Sequence, residues 1–397
     1  MSVTTSTPLR SSASYADSKP HYELLDGLRG VAALLVVIYH VFEGYAFSSG
    51  APLIEGMNHG YLAVDFFFML SGFVIAYAYD SRWQSTLTLK NFALRRLVRL
   101  HPMVLMGAVL GVITFVLQGS QQWDGTHMAL SAVMWALLMA MFMIPALPGC
   151  GYEVRGNGEM FPLNGPTWSL FFEYIGNVLY ALVLRRFSTR VLSLWVAFLG
   201  IMMGLFACLN VSGYGSIGVG WTLDTVNFFG GLLRMLFPFS MGLLLSRVHR
   251  PLVVRGAFWL CSALLFALFI VPFLGCTAQF SLNGLFEFSC LIAVFPLIIV
   301  LAASGRTTDR FSTLVCKTLG DLSFPLYMVH YPFMYLFYYW MMQSGWMMQS
   351  GRTAWANTQL VSVGVVLGNV LLAWILLKCY DEPVRRALTR KFLSRRA

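Results

Sequence analysis

Eleven apolar runs, each close to the length that crosses a bilayer, constrain this chain more than anything else in it. They fall at about 28–47, 60–79, 102–118, 127–148, 168–187, 191–211, 227–247, 253–274, 282–303, 319–342 and 357–379. A spanning helix needs about 20 predominantly apolar residues, because a rise of about 1.5 Å per residue must cover a hydrocarbon layer of about 30 Å. Inside that layer every backbone N–H and C=O must bond within its own segment, so such runs fold as helices and not as open sheet. Composition agrees: 58% of the 397 residues are hydrophobic and 11% are charged, against about 25% charged in an ordinary soluble domain. The expectation is an all-α, polytopic membrane helix bundle in one domain, and a soluble enzyme is excluded.

Charge gives the topology. The excess of 27 basic over 17 acidic residues collects in short connectors, Arg82 to Arg99, Arg185 to Arg190, Arg247 to Arg255, Arg306 to Lys317 and the stretch from Arg385. The positive-inside bias places such connectors in the cytoplasm, so the surplus implies membrane lipids as partners and no nucleic acid. That placement works from residue 168 onward. It fails between Arg99 and Trp168, where two segments intervene and an odd number is required. One of 102–118 and 127–148 therefore does not cross, and 102–118 is the shorter. The prediction is about ten transmembrane helices plus one re-entrant or interfacial segment, with both termini cytoplasmic. Residues 1–22, polar at the start and without an apolar run, read as a disordered cytoplasmic tail, and 387–397 as a basic cytoplasmic tail, with the membrane domain at 23–386. The seven cysteines lack paired spacing, and neither disulfides nor a metal is implied.

Ionisable groups in the apolar runs are the candidates for chemistry, since each is costly to keep there. Arg29 and His40 lead. Eleven steps of about 100° bring both onto one helix face, about 16 Å apart along the axis, so an arginine at the aqueous edge shares a face with a deep imidazole. Arg29 also reads as a snorkelling anchor, and His40 as a hydrogen-bonded core histidine. Asp26 is placed to cap the helix and hold the Arg29 guanidinium. Asp65 either orients His40 or an acceptor hydroxyl, or pairs with a basic side chain. Ser71 lies mid-membrane, and the neighbouring Gly72 reads as a close-packing position. Arg95, Arg96 and Arg99 form a cluster suited to phosphates or to anionic lipid headgroups. In TWSLFFEY, Trp168, Ser169 and Glu173 open a span. Ser169 and Glu173 share a face, and Glu173 either relays a proton or satisfies a helix N-terminus. His330 sits between Pro325 and Pro332, and proline-broken helix at membrane depth is tolerated where it lines a cavity or is buried in protein. Loop 149–167 is either a lid or acceptor site or a connector. The duplicated WMMQSG at 340–351 lengthens a loop. The chain contains no G-x-S-x-G, H-E-x-x-H, Walker loop or C-x-x-C.

Taken in order, these stretches resemble the acyltransferase 3 family of multi-pass membrane acyltransferases. LDGLRGVAALLVVIYH is similar to its first-helix motif, an arginine and a histidine with ten residues between them. AVDFFFMLSGF, FALRRLVRLHP, TWSLFFEY, LGDLSFPLYMVHYP and DEPVRR follow as its later motifs, with Phe324 where tyrosine is usual and His101 where isoleucine or tyrosine is common. The resemblance implies an O-acyltransferase. It would move an acyl group, usually acetyl, from cytoplasmic acyl-CoA to a hydroxyl of a glycan or lipid-linked sugar at a bacterial inner membrane. It also implies a catalytic role for His40 and an essential one for Arg29.

On that reading no cofactor is bound and acyl-CoA is a substrate. Arg29 and the Arg95–Arg99 cluster clamp its charged end, with Asp26, Ser71, Trp168 and Ser169 around the binding path. His40 acts as general base or as an acyl-imidazole relay, aided by Asp65, Glu173 or His330. The chain ends about ten residues after DEPVRR, so the membrane domain is expected to act alone or with an acyl-handling partner protein. The rival class is a secondary transporter or flippase in which the same residues relay protons; the one-sided basic cluster and the lack of an inverted repeat weigh against it.

Overall fold

The computed structural model describes residues 22–49, 58–250, 254–307, 309–343 and 351–393. The tail expected at 1–22 lies outside them apart from Tyr22, as do 394–397 and most of the WMMQSG duplication. The chain runs α1 Glu23–Ser49, α2 Ala63–Tyr79, α3 Leu89–Leu117, α4 Leu130–Met141, α5 Thr167–Leu182, α6 Thr189–Cys208 and α7 Thr225–Val248. It continues with α8 Ala257–Phe269, α9 Leu282–Ser289, a π turn Cys290–Val294, α10 Phe295–Ser304, α11 Arg310–Gln343 and α12 Gly351–Leu376. A second π turn, Leu377–Asp381, leads into α13 Glu382–Phe392. That last helix runs on past residue 386.

Every predicted segment carries a helix, and among the described residues eight helices are long and apolar enough to cross a membrane. α11 adds the length of a ninth, at 34 residues. α8 has only 13 residues, yet the chain there passes from one end of the bundle to the other. Val254 bridges to Gly305 at the end where the basic connectors lie, and Pro272 bridges to Asn58 at the opposite end. Outward faces are apolar throughout, as with Leu194, Phe198 and Ile201 of α6 and Leu360, Leu367 and Leu371 of α12, all exposed. An apolar belt of this extent is a lipid-facing surface.

Of the two segments left open, 102–118 belongs to a helix long and apolar enough to cross, whereas 127–148 holds only a short one. The basic stretch and segment 102–118 are a single 29-residue helix. Thr88 caps it, accepting from Asn91 N at 3.2 Å, and Pro102 is absorbed inside it. Counting 102–118 alone missed the turns contributed by residues 89–101. α4 has 12 residues, about 18 Å. It descends beside α3 until the Met141 carbonyl meets the His101 side chain. The chain then returns: Ala146 N bonds Met160 O, and Met160 N bonds Trp221 O, which carries it back to the loop before α7.

Close helix contacts are made at glycines. A Cβ at Gly72 of α2 would stand 2.0 Å from the Phe239 carbonyl oxygen of α7, and one at Gly30 of α1 would stand 2.2 Å from that of Leu319 on α11. Backbones at such distances leave no room for a side chain. The α1–α11 contact is the one that builds the site.

Candidate active site

With α1 and α11 pressed together, the His40 and His330 rings meet, their centroids 5.2 Å apart and their planes tilted by 32°. One turn beyond His40 on α1, Glu43 Oε2 stands 2.7 Å from His40 Nδ1. The same oxygen accepts from Tyr338 OH at 2.7 Å and from Tyr331 OH at 3.4 Å. A carboxylate only accepts, so Nδ1 carries the His40 proton and Nε2 is left as the basic nitrogen. His330 Nδ1 faces the carbonyls of Leu326 and Tyr327, at 3.1 and 2.8 Å, and must donate. Its Nε2, fully buried, makes no hydrogen bond. Two imidazoles therefore lie side by side at a tilt, and only His40 has an acid behind it. His40 and Glu43 keep 14% and 12% of their side-chain surface open.

The re-entrant loop braces this arrangement. Pro332 has no N–H to offer the Met328 carbonyl four residues back, and Asn164 Nδ2 takes that oxygen at 2.8 Å. Gly165 N donates to Tyr335 OH at 3.2 Å, and Tyr335 OH donates to Glu159. Arg155, wholly buried, lies over the Tyr335 ring with its guanidinium carbon 3.7 Å from the centroid. Loop 149–167 is thus docked on α11 within two turns of His330.

On the other side of the histidines lies a narrow cavity of about 90 Å³. Arg29, Arg96 and Arg99 line it toward the basic end, Ser71 and Glu173 midway, and Ser169 and Tyr327 where it closes. Arg29 is held by Asp26 at 2.7 Å; α1 begins at Glu23, so Asp26 sits within the first turn and not at the cap. Arg96 Nη2 and Ser71 Oγ both reach Glu173 Oε1, each at 2.7 Å. Arg95 lies outside the cavity lining.

The sequence candidates thus separate into three places. His40 and His330 come together, and Glu43 joins them. Arg29, Arg96, Arg99, Ser71, Ser169 and Glu173 surround the cavity. Asp65 is in neither group. Wholly buried, it binds Arg234 with both oxygens, at 2.6 and 3.1 Å, and Arg234 also donates to the Val219 carbonyl at 2.7 Å. Of its two readings, partner to a basic side chain is the one found, and it does not orient His40. Trp168 packs on that ion pair, its ring 5.2 Å from the Arg234 guanidinium carbon, and stands outside the cavity lining. Glu173 is tied to Arg96 and lies away from the imidazoles.

Sequence reasoning passed over Glu43 and Arg234. Glu43 follows His40 at the three-residue spacing that puts two helix side chains side by side. Arg234 lies mid-run in an apolar segment, where a lone cation requires a partner. Both patterns were present in the chain.

Comparison with known proteins places the chain among acyltransferases. Acyltransferase MdmB of Streptomyces mycarofaciens is 27% identical over 395 residues, 92% of each chain. Protein 2 in the picA locus of Rhizobium radiobacter is 34% identical over 165 residues, 40% of this chain and 80% of that one. A protein named as an O-acetyltransferase in Staphylococcus aureus (strain COL) is 25% identical over 323 residues, 77% of this chain and 50% of that protein. No solved structure matches the chain. A family model described as an acyltransferase domain matches residues 22–378, nearly the whole length, and the chain belongs to that family as a multi-pass membrane acyltransferase.

Proposed function

We propose that this membrane acyltransferase moves an acyl group, acetyl by default, from acyl-CoA at the basic end to a hydroxyl of a glycan or lipid-linked sugar at the opposite end. In a bacterial inner membrane the basic end faces the cytoplasm, where acyl-CoA is made. The observation that carries this reading is the cavity: it opens among Arg29, Arg96 and Arg99 and closes at Tyr327, whose ring borders His330. Guanidinium forks suit the phosphates of a nucleotide-bearing donor. The bore suits a slender arm and not a nucleotide, so the charged head stays at the mouth while the thioester goes inward.

His40 supplies the chemistry. Its Nε2 removes the proton of the acceptor hydroxyl as the oxygen attacks the thioester carbonyl. The C–S bond then breaks, and the thiolate takes the proton back from the imidazolium. Glu43 stabilises the imidazolium while it exists, as an acid behind a histidine does in other acyl transfers. The acyl-imidazole version uses the same Nε2 as nucleophile. The test is labelled acetyl-CoA given to membranes with and without the chain. Label appearing in envelope glycans, and lost in His40→Ala, supports the reading; label retained with a stably folded His40→Ala sinks it. Substrate movement without label would indicate a transporter.

A further inference from the structure

The cavity stops one side chain short of the histidines. Tyr327 forms its inner wall, 6% exposed, with its hydroxyl 2.7 Å from Ser169 Oγ and 3.4 Å from the Pro166 carbonyl. Its ring stands edge-on to Phe67, 5.5 Å between centroids, and lies 5.9 Å from the ring of His330. Neither imidazole lines the cavity, and neither does Glu43. One phenol ring therefore lies between the space open to the basic end and the His330–His40 pair.

We infer that Tyr327, pinned by Ser169, is the specificity-determining partition of this enzyme: it sets the size of the acyl group that reaches His40. The inference rests on the acyl-transfer reading given above. The ring is held by neutral partners, the weaker class of hydrogen bond, so it yields to an entering thioester. A wall built on a buried ion pair such as Asp65–Arg234 would not yield. The room it can give up is about that of one ring, because His330 behind it is wholly buried and Phe67 packs beside it. Protein interiors have little slack, so every methylene beyond that room must displace packed atoms. A two-carbon acyl group passes where a six-carbon one is refused. With the partition closed, water at the open side of His40 is also kept from the thioester.

The experiment uses the full chain in sealed membrane vesicles that hold their own acceptors, the basic end outward, with acetyl-CoA and hexanoyl-CoA as donors. Release of CoA thiol is read for the parent, Tyr327→Ala and Tyr327→Phe. The hexanoyl-to-acetyl ratio is expected to rise about tenfold or more in Tyr327→Ala, the scale on which a pocket discriminates by methylenes. It should keep the parent value in Tyr327→Phe, which retains the ring. A second readout needs no turnover. In a Tyr331→Cys background, beside His40, a charged methanethiosulfonate added at the basic end should modify that cysteine only when Tyr327→Ala is also present. Equal modification with Tyr327 in place, or an unchanged ratio with acetyl release intact, overturns this inference alone. No CoA release from either donor by the parent overturns the acyl-transfer reading and this inference with it.

Discussion

Glu43 Oε2 sits 2.7 Å from His40 Nδ1, one helical turn away, which gives a membrane-buried imidazole an acid of its own. The pair shares one rigid element, so its geometry does not depend on helix rearrangement. Glu43→Gln keeps the size of the side chain and removes the charge. An amide in that place no longer fixes Nδ1 as the protonated nitrogen and cannot stabilise an imidazolium. Turnover should fall about 10²–10⁴-fold, the usual worth of positioned acid–base catalysis. The apparent KM for acyl-CoA should change little, because Glu43 does not line the cavity. A Gln variant that folds like the parent and turns over at the parental rate would rule out the dyad. Because Glu43 also holds Tyr338 OH, thermal unfolding of the variant is measured alongside.

Arg29 sits at the other end of the same face, lining the cavity and held by Asp26 at 2.7 Å. Lysine keeps the charge and loses the planar fork. Arg29→Lys should raise the apparent KM for acyl-CoA about tenfold, the value of one charge-assisted hydrogen bond, and leave kcat within a few-fold. Steady-state kinetics with varied acyl-CoA separates the two. An unchanged KM would remove Arg29 from donor binding.

The reach of the sequence follows from whether a relationship is local. Arg29 and His40 lie on one helix, so helix arithmetic alone aligns them. His330 was visible as a polar residue between two prolines, but its meeting with His40 depends on Gly30 admitting Leu319, a contact between residues almost three hundred positions apart. Asp65 could not be assigned because its partner Arg234 is 169 residues away and nothing local points to it. Which of 102–118 and 127–148 turns back was open for a physical reason: a proline usually marks a helix start, whereas Pro102 lies inside a helix begun at Leu89. Glu43 was legible and overlooked, since it falls where the first apolar run gives way to smaller and polar residues.

The Asp65–Arg234 pair is a stability element, and the structure predicts how it breaks. Both side chains are buried, at 0% and 2% exposed. Arg234→Met leaves a carboxylate without its partner in the interior, which costs about 3–5 kcal/mol. Asp65→Leu combined with Arg234→Met removes both charges and should recover part of that loss, less the bonds from Arg234 to the Val219 and Tyr61 carbonyls. Denaturation midpoints in detergent for the two singles and the double close the cycle. A double variant no more stable than the worse single would contradict the account. Asp65→Asn, if folded, should keep the parental rate of acyl transfer, since Asp65 does not touch His40.

The re-entrant loop should loosen as pH rises, and Glu159 is the reason. Burial pushes its carboxyl from the ordinary 4.5 up to about 7, against the pull of the Tyr335 and Asn157 donors and the Arg155 charge. The folded loop therefore holds a proton that the unfolded chain has already released. Stability from this group is fully present below about 4.5, is lost progressively as pH rises to about 7, and changes no further above that. Glu159→Gln cannot titrate, so its loop should keep the same stability across the window. The measurement is protease nicking of residues 143–166, parent against variant at each pH, so that the pH response of the protease cancels. The parent-to-variant nicking ratio should climb through the window and level off above it. A flat ratio would mean that the Glu159 carboxyl stays ionised in the folded loop, and the tie through Tyr335 to the helix that carries His330 would then be insensitive to pH.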